Sequence, residues 1–489
     1  MSKRTLTAIL AMLILASSTS CGGSDTPDDT ATTPEVTTVS MESLVGFPQE
    51  DNGGKTISLL VDSNKPYDFD AEEATGDVVN DAVYEKLNAV SEYLGITFET
   101  QFEMCGWNER NTFNSLIIND VTAGDSSYDM VLSPIVCTMP IAPEGYFLEG
   151  EILTYCNFDN PWWMADMYET ISVNGKLYGF LGDISLSSYK DLAVVYFNKR
   201  IYDEHKVESP YDLVRAGKWT LDKFIEYASS MGRDLNGDGN WTLEDDQISY
   251  LAEQVPNGTM QTSLQLKVVE NKGGELEYIG LSEKYLTAYD KLGTMMNQAG
   301  MDSISTIDDL SFRSMKTFAN GNVATMTNFL YATEHLRDMT DDYGIVPLPK
   351  YDENQDKHYA QMGTSTLMAF IPTTVKDPAL VSKVMELSAY YTKTLVVPKY
   401  YEIALKDKYA RDDDIPEMLD IIREGATIDF LFVYGTSMSQ APNNHFRFLK
   451  NAPGEKAVKN DNLASSFASN ETAFKESFDK MLEKFDALE

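Results

Sequence analysis

Short apolar runs alternate with segments of helical period along most of this chain, from about residue 55 onward. Strands joined by helices of this length run parallel, because a tight turn can only connect antiparallel strands. The pattern therefore predicts an α/β fold with parallel sheets, ending in an amphipathic helix over 471–488. The predicted strands are 56–61, 97–101, 128–132, 192–197, 323–327 and 366–371, and the predicted helices are 80–94, 112–123, 220–231, 282–299, 311–320 and 378–391.

The charge balance argues against two classes of partner. The 489 residues carry 39 Lys and Arg against 76 Asp and Glu, a formal net charge of −37. Such a chain cannot neutralise a run of phosphates, which argues against nucleic acid, and its own charge gives it no attraction to an anionic lipid surface. Only 4 Cys are present, too few for a disulfide scaffold or a multi-cysteine zinc module.

The first twenty residues have the order of a secretory signal. Lys3 and Arg4 give a basic start, residues 6–16 are uncharged and apolar, and small residues lead up to Cys21. The segment resembles a bacterial lipoprotein signal, in which the cysteine after the cleavage point is acylated. Ser18 departs from the Leu that is usual at its position. The alternative interpretation is an ordinary secretory signal without a lipid.

The lipoprotein interpretation predicts where the protein resides. Residues 1–20 would be removed, and the Thr-, Asp- and Pro-rich segment 21–52 would be a flexible tether, since it has few apolar side chains to bury. No later stretch has the uninterrupted apolar length of a membrane-spanning helix. We therefore expect a protein that is anchored to the cell membrane by lipid at Cys21 and faces outside the cytoplasm.

An ordered series of short motifs runs along the body of the chain. The motifs are Tyr128-Asp129-Met130-Val131, Asn160-Pro161-Trp162-Trp163, Asn174 to Gly179, Gly182-Asp183-Ile184-Ser185, Val194 to Lys199, Gly217-Lys218-Trp219-Thr220, Asp234 to Asp246 and Tyr343 to Pro349. Each motif is unspecific alone, but their order and spacing resemble those of extracellular solute-binding proteins of family 1, the sugar-binding lipoproteins of ABC importers. The resemblance covers most of the chain.

This resemblance implies a periplasmic-binding-protein-like type 2 fold, in which two α/β lobes joined by hinge strands close around a central cleft. The implied function is the capture of a mono- or oligosaccharide by a monomeric protein and its delivery to an ABC permease in the membrane, without enzymatic activity. The expected lobes are residues 53–193 with 350–394 and residues 194–349 with 395–489, and the expected crossings lie near 193–198, near 344–349 and after about 394.

Sugars present apolar C–H faces and a rim of hydroxyls, so a site for them combines flat aromatic rings with planar carboxylates and amides. The resemblance implies Tyr331 as a stacking ring and Asp191, just before a crossing strand, as a hydroxyl acceptor. The alternative for every aromatic candidate is packing in the core, and of Trp162 and Trp163 one is expected to pack and the other to face the cleft. Further candidates are Asp183, Trp163, Trp107, Asn108, Glu253 and, as a cap from the C-terminal segment after the apolar run 430–433, Tyr434.

Two of these motifs also have purely structural interpretations. Trp219 and Thr220 are typical of a helix start, with Thr220 as the N-cap and the indole packed inward. Asp183 follows Gly182 and has turn closure as its alternative role.

Residues 234–245 match the spacing of an EF-hand calcium loop. Oxygen-bearing side chains on alternate positions face a central cation, and Gly239 permits the sharp turn. Asp245 stands at position twelve, where glutamate is usual, and Asp246 is a competing donor. We expect structural Ca²⁺ binding, and the alternative is a turn satisfied by its own backbone. The expected ligands are Asp234, Asn236, Asp238, Asn240 through its carbonyl, and Asp245.

Three cysteines remain after Cys21. Cys105 and Cys137 both lie just past predicted neighbouring strands. Two alternatives are therefore open: a disulfide between them, or buried free thiols. Cys156 has no predicted partner.

Enzymatic activity has no motif to support it. The chain contains no HExxH, GxSxG, GxxxxGK[ST] or strand-linked GxGxxG sequence. A glycoside hydrolase needs only two carboxylates, which 76 acidic residues provide without singling out a pair. The nearer alternatives are the same fold binding a peptide, polyamine or other small solute, and a surface glycan-binding lipoprotein without a transporter.

Overall fold

The computed structural model describes residues 40–71, 73–304, 312–406, 412–442, 445–447 and 462–488. The chain divides after Leu44, and the fold described below is that of the part from Val45 onward. Cys21 and the predicted signal and tether up to residue 39 lie outside the described residues.

The strands are short and mostly buried, as expected for sheets covered by helices on both faces. They are β1 (Lys55–Asp62), β2 (Ile96–Glu103), β3 (Met130–Pro134), β4 (Ala193–Asn198), β5 (Ile248–Glu253), β6 (Val269–Lys272), β7 (Glu275–Tyr278), β8 (Met301–Ile304), β9 (Val323–Phe329), β10 (Tyr343–Pro347), β11 (Ala360–Gln361), β12 (Leu367–Phe370) and β13 (Ala426–Thr427).

Helices fill most of the intervals between the strands. They are α1 (Met41–Val45), α2 (Val78–Leu94), α3 (Arg110–Ala123), α4 (Ile135–Thr138), α5 (Ala165–Ile171), α6 (Ser187–Lys190), α7 (Lys199–His205), α8 (Pro210–Arg215), α9 (Leu221–Ala228), α10 (Gln254–Gly258), α11 (Met260–Ser263), α12 (Glu283–Met296), α13 (Arg313–Ala319), α14 (Pro378–Tyr391), α15 (Val397–Lys406), α16 (Ile415–Glu424), α17 (Phe430–Tyr434) and α18 (Leu463–Asp486). Short 3₁₀ turns and the π-helix Thr392–Val396 complete the list.

Two sheets organise the chain. The first has the order β12-β3-β1-β2, in which β1, β2 and β3 are parallel and β12 is antiparallel to β3. The second has the order β10-β4-β9-β5-β8, in which β5, β8 and β9 are parallel and β4 is antiparallel to both of its neighbours. This architecture confirms the predicted α/β class, and all six predicted strands are present. The expectation of parallel sheets is wrong in part, because β4, β10 and β12 are antiparallel to their neighbours.

The chain passes between the sheets twice in the described residues, and the two passages are bonded to each other. It enters the second sheet through β4 and returns to the first through β12. Leu192, just before β4, pairs with Met362, and the amide of Gly363 donates to the carbonyl of Asp191 at 2.8 Å. We call the residues 187–193 and 362–367 the hinge segments. The exact lobe boundaries stay a prediction.

The C-terminal helix α18 contacts elements attached to both sheets. Tyr278, at the end of the hairpin β6–β7, donates from its hydroxyl to Glu471 Oε1 at 2.8 Å. At the other end of α18, Lys484 pairs with Glu144, which follows β3 and α4. The amphipathic pattern predicted α18 over its second half, whereas the hairpin was not predicted.

The structural interpretation of Trp219 and Thr220 is confirmed. The Thr220 hydroxyl accepts from the amide of Lys223 at the start of α9. The Trp219 indole is completely buried and donates to the carbonyl of Pro347 at 2.8 Å, at the end of β10.

Candidate ligand-binding site

The carboxyl ends of the parallel strands are where an open α/β sheet binds its ligands. In the first sheet, the loop after β1 carries Lys65. In the second, β5 ends at Glu253, and a 3₁₀ turn after β9 carries Tyr331. Asp191 lies in the hinge segment between them. The structure thus places three of the predicted site residues at these strand ends or in the hinge.

Asp191 is almost completely buried, with 1% of its surface exposed. Its carboxylate oxygen Oδ2 pairs with the ammonium of Lys65 and accepts hydrogen bonds from the hydroxyls of Ser365 and Thr366, both at 3.3 Å. The hydroxyls bound to Oδ2 belong to the protein, so the role of Asp191 as an acceptor for a ligand hydroxyl stays a prediction. Lys65 was missed, although a lysine three residues past a strand of the first sheet was a usable signal.

Tyr331 and Glu253 lie on the second-sheet side. Tyr331 is half-buried, with its ring tilted against Phe329 at a centroid distance of 6.0 Å. Glu253 is buried and acts electrostatically on Arg447. Burial lowers the pKa of the Arg447 guanidinium, and the carboxylate of Glu253 opposes that shift. This side therefore combines a half-buried aromatic ring with a buried carboxylate that acts on a half-buried guanidinium.

Exposed aromatic rings flank the same strand ends. Trp107, after β2, has 49% of its surface exposed, and the guanidinium of Arg110 lies 3.9 Å from its ring centroid. The neighbouring Asn108 is also exposed. Phe312, which precedes α13 in the segment after β8, is exposed and stacks on His335 at 4.0 Å. Phe312 was missed because no strand was predicted before it.

Trp162 and Trp163 are both packed, so the expectation that one of them faces the cleft is wrong. The carboxylate of Glu386, in α14, accepts from Trp163 Nε1 at 2.7 Å and from Asn160 Nδ2 at 2.5 Å. Trp162 packs edge-on against Tyr390 of the same helix, and both indoles are buried. Burial raises the pKa of Glu386, whereas the hydrogen bonds from Trp163 and Asn160 lower it. The Asn-Pro-Trp-Trp motif is thus a turn organised by one buried carboxylate.

Asp183 lies beside this turn and is buried. Its Oδ2 accepts from Lys393 Nζ at 3.3 Å and lies 3.9 Å from the guanidinium of Arg423. Burial raises the pKa of Asp183, and the two cations oppose that shift. The preceding Gly182 passes so close to the turn that a Cβ there would lie 2.5 Å from the carbonyl oxygen of Trp162. Asp183 lines a cavity that is also lined by the Asn-Pro-Trp-Trp turn and Arg423.

Tyr434 is a core residue, contrary to its expected capping role. The apolar run before it forms the helix α17, which ends at Tyr434 itself. Its ring is completely buried between Phe430 and Phe485, and its hydroxyl donates to the carbonyl of Ile171 at 3.2 Å.

The predicted calcium loop has the contacts of a self-bonded turn. Asp234 accepts from the amides of Gly237 and Gly239 at 2.6 and 2.9 Å, and Asp238 accepts from that of Asn240 at 2.7 Å. The buried Asp246 accepts from two further loop amides. Among the described residues, no group of three or more His, Cys, Asp or Glu side chains is arranged to hold a metal ion. Oxygen donors suit Ca²⁺, and carboxylates keep lone pairs beyond these amide contacts, so calcium binding stays a prediction.

The described cysteines have free thiols. Cys137 donates from Sγ to the carbonyl of Cys105 at 3.8 Å, and both residues are buried. Cys156 is partly buried and donates to the carbonyl of Ser382 at 3.3 Å.

The two sheets and their hinge segments give the chain the fold of the periplasmic-binding-protein-like solute-binding proteins. It is similar to the galacto-N-biose-/lacto-N-biose I-binding protein of an ABC transporter from Bifidobacterium longum, in complex with lacto-N-biose (14% identity, TM-score 0.55, covering 88% of this chain and 98% of that one). It is also similar to a cyclo/maltodextrin-binding protein complexed with maltotetraose (14% identity, TM-score 0.53, covering 89% of this chain and 98% of that one). A third similar structure is that of an ABC substrate-binding protein from Listeria monocytogenes in complex with cycloalternan (13% identity, TM-score 0.53, covering 88% of this chain and 99% of that one).

At these identities the similarity establishes the fold alone. Neither a protein-family model nor a curated protein matches the sequence.

Proposed function

We propose that the protein is the substrate-binding component of an ABC importer and captures a neutral mono- or oligosaccharide between its two lobes. The observation that carries this proposal is the ion pair between Lys65, which follows β1, and Asp191 in the hinge segment, to which the turn after β9 is also bonded through Leu330 and Leu192. The structural neighbours, which were solved with oligosaccharides, support the same ligand class. Exposed Trp107 and half-buried Tyr331 supply rings for sugar faces.

Capture requires the ligand to stabilise the closed arrangement of the lobes over the open one. The hinge segments are proposed as the place where the chain bends in this motion. A neutral ligand suits the site, since the charges of Lys65 and Asp191 already compensate each other. The protein is proposed to release the ligand unchanged to a membrane permease, with no bond made or broken.

The proposed setting follows from the N-terminal sequence. A lipid at Cys21 would anchor a monomer to the outer face of the cell membrane through the tether 21–52. Among the residues that the structure describes, no helix combines the length and apolarity needed to cross a bilayer. Mass spectrometry of the mature protein tests the anchor, because acylation adds the mass of the lipid and cleavage removes residues 1–20.

A thermal-shift screen tests the ligand class. Neutral mono- and oligosaccharides are compared with amino acids, peptides and polyamines, and a true ligand at 100 times its Kd stabilises the protein by about 2.7 kcal/mol. We expect hits among sugars only. Hits among the other solutes alone would end the carbohydrate assignment, and binding confined to polymers would favour a glycan-binding lipoprotein. Release of shorter sugars during incubation with labelled oligosaccharides would instead indicate a hydrolase.

The loop 234–245 is proposed to bind Ca²⁺ as a structural ion. Addition of Ca²⁺ to EDTA-treated protein is expected to raise the melting temperature by several degrees, because binding to the native state alone stabilises it. The rise should disappear in the variant Asp234→Ala/Asp238→Ala. No rise at all would leave the loop as a self-bonded turn, and an equal rise with Mg²⁺ would contradict a site selective for Ca²⁺.

A further inference from the structure

Cys105 and Cys137 meet at the carboxyl end of the first sheet. Cys105 follows β2, and Cys137 lies in α4, directly after β3. The strand β1 lies between β2 and β3 in the sheet, so the two cysteines approach each other across its end. Cys137 Sγ donates to the carbonyl of Cys105 at 3.8 Å, and the thiol of Cys105 is hydrogen-bonded to that of Cys137. The two sulfurs are therefore in direct contact, and both residues are buried.

The backbone of each cysteine is held by a buried polar side chain. Asp62 Oδ1, at the end of β1, accepts from the amide of Cys105 at 2.9 Å. Asn114 Nδ2, in α3, donates to the carbonyl of Cys137 at 2.9 Å, and its Oδ1 accepts from the hydroxyl of Thr138. A disulfide requires Cβ atoms about 3.5–4.5 Å apart and an S–S bond of about 2.05 Å. Two cysteines fixed with their sulfurs in contact reach this geometry through a small adjustment of their side chains.

The third described cysteine has a different neighbour. Cys156 Sγ donates to the carbonyl of Ser382, in α14, at 3.3 Å. Three thiols allow three pairings, and the sulfur contact selects one of them. The hydrogen bond to Cys137 and burial raise the pKa of Cys105, and burial raises the pKa of Cys156. Raised pKa values and burial are typical of structural rather than catalytic thiols.

We infer that Cys105 and Cys137 form a structural disulfide when the protein folds in oxidising surroundings, and that Cys156 stays a thiol. The outer face of a cell membrane, where the N-terminal sequence is proposed to place the protein, provides such surroundings. The disulfide goes beyond the proposed sugar capture and does not depend on it. It would join the start of the segment that carries Trp107 to α4.

The oxidant is a small-molecule disulfide such as oxidised glutathione. One S–S bond forms between the Sγ atoms of Cys105 and Cys137, and the S–S bond of the oxidant breaks. The two cysteines lose two electrons, which reduce the oxidant to two thiols, and the two thiol protons pass to its two sulfurs.

Refolding from urea in a mixture of reduced and oxidised glutathione tests the pairing. The variant Cys21→Ser leaves three of the four cysteines to compete. Remaining thiols are then alkylated, and the peptides are mapped without reduction by mass spectrometry. We expect the peptides of Cys105 and Cys137 to be linked, with a mass lower by two hydrogen atoms, and Cys156 to be alkylated.

Thermal unfolding gives a second readout. The two cysteines are 32 residues apart, so their disulfide closes a loop that restricts the unfolded chain. We expect the oxidised protein to melt a few degrees above protein that is refolded with dithiothreitol. The control variant Cys156→Ser should keep both the link and this difference, whereas Cys105→Ser should lose both.

Three results would overturn the disulfide: alkylation of both Cys105 and Cys137 after oxidative refolding, links distributed over all three pairings, or equal melting temperatures of the linked and the reduced protein. The first two results come from the peptide map of the protein with all three cysteines, so they do not depend on the folding of Cys105→Ser. Each of the three would leave the proposed sugar capture intact.

Discussion

Replacement of Asp191 by alanine is expected to lower the free energy of unfolding by about 3–5 kcal/mol. The variant leaves the ammonium of Lys65 in a position where only 12% of its side chain is exposed, with no counter-charge from Asp191. It also removes the acceptor for the hydroxyls of Ser365 and Thr366, which precede β12. Urea denaturation measures the loss.

Two further variants separate the buried ion pair from a general effect of charge. Asp222→Ala removes an exposed aspartate that pairs with Lys291 at 2.6 Å, and should cost less than about 1 kcal/mol. The double variant Lys65→Met/Asp191→Leu should recover most of the stability, because it removes both charges together. A loss in Asp191→Ala no larger than that in Asp222→Ala would show that the hinge does not depend on this carboxylate.

Replacement of Glu386 by alanine is expected to cost about 2–4 kcal/mol. Three donors lose their acceptor: Trp163 Nε1, Asn160 Nδ2 and the amide of Asn157. A buried donor without a partner costs about 1–3 kcal/mol, and this applies in full to Trp163, because Asn160 is only partly buried and Asn157 is exposed. Near-ultraviolet circular dichroism should also change, since the indoles of Trp162 and Trp163 lose their fixed surroundings.

Glu386→Gln is the matched variant for this second prediction. It keeps the size of the side chain and one carbonyl acceptor, so its loss should be clearly smaller than that of Glu386→Ala. If both variants unfold at the same urea concentration as the unaltered protein, the Asn-Pro-Trp-Trp turn is held by something other than this carboxylate.

The sequence pattern predicted the strands and helices of the fold better than the contacts between residues that are distant in the sequence. Strand positions follow from short apolar runs, and the start of α9 follows from Thr220 as an N-cap, because both are local properties of the chain. Asp191 was correctly placed before a crossing strand. Its partners Lys65, Ser365 and Thr366 are 126, 174 and 175 residues away, and periodicity carries no information about which distant loops meet.

The burial of the aromatic candidates also depends on residues that are distant in the sequence. Trp107 is exposed and Trp163 is buried, although both lie outside the predicted strands and helices. The indole of Trp163 is held by a hydrogen bond to Glu386, which lies 223 residues away in the sequence. Tyr434 was assigned to the ligand from its place after an apolar run in the C-terminal segment, and as part of α17 it packs in the core. A ring in a loop can therefore be assigned to ligand or core only when its distant neighbours are known.

The pairing of β12 with β3 has a consequence for the time course of folding. Leu367 lies opposite Pro134, so the strand that completes the first sheet is synthesised 233 residues after its neighbour. Contacts of such long sequence separation form slowly. A chain that emerges N-terminus first must therefore wait, with one edge of β3 unpaired, until about three quarters of its length has appeared. The first sheet therefore cannot be completed until the residues of β12 have been synthesised.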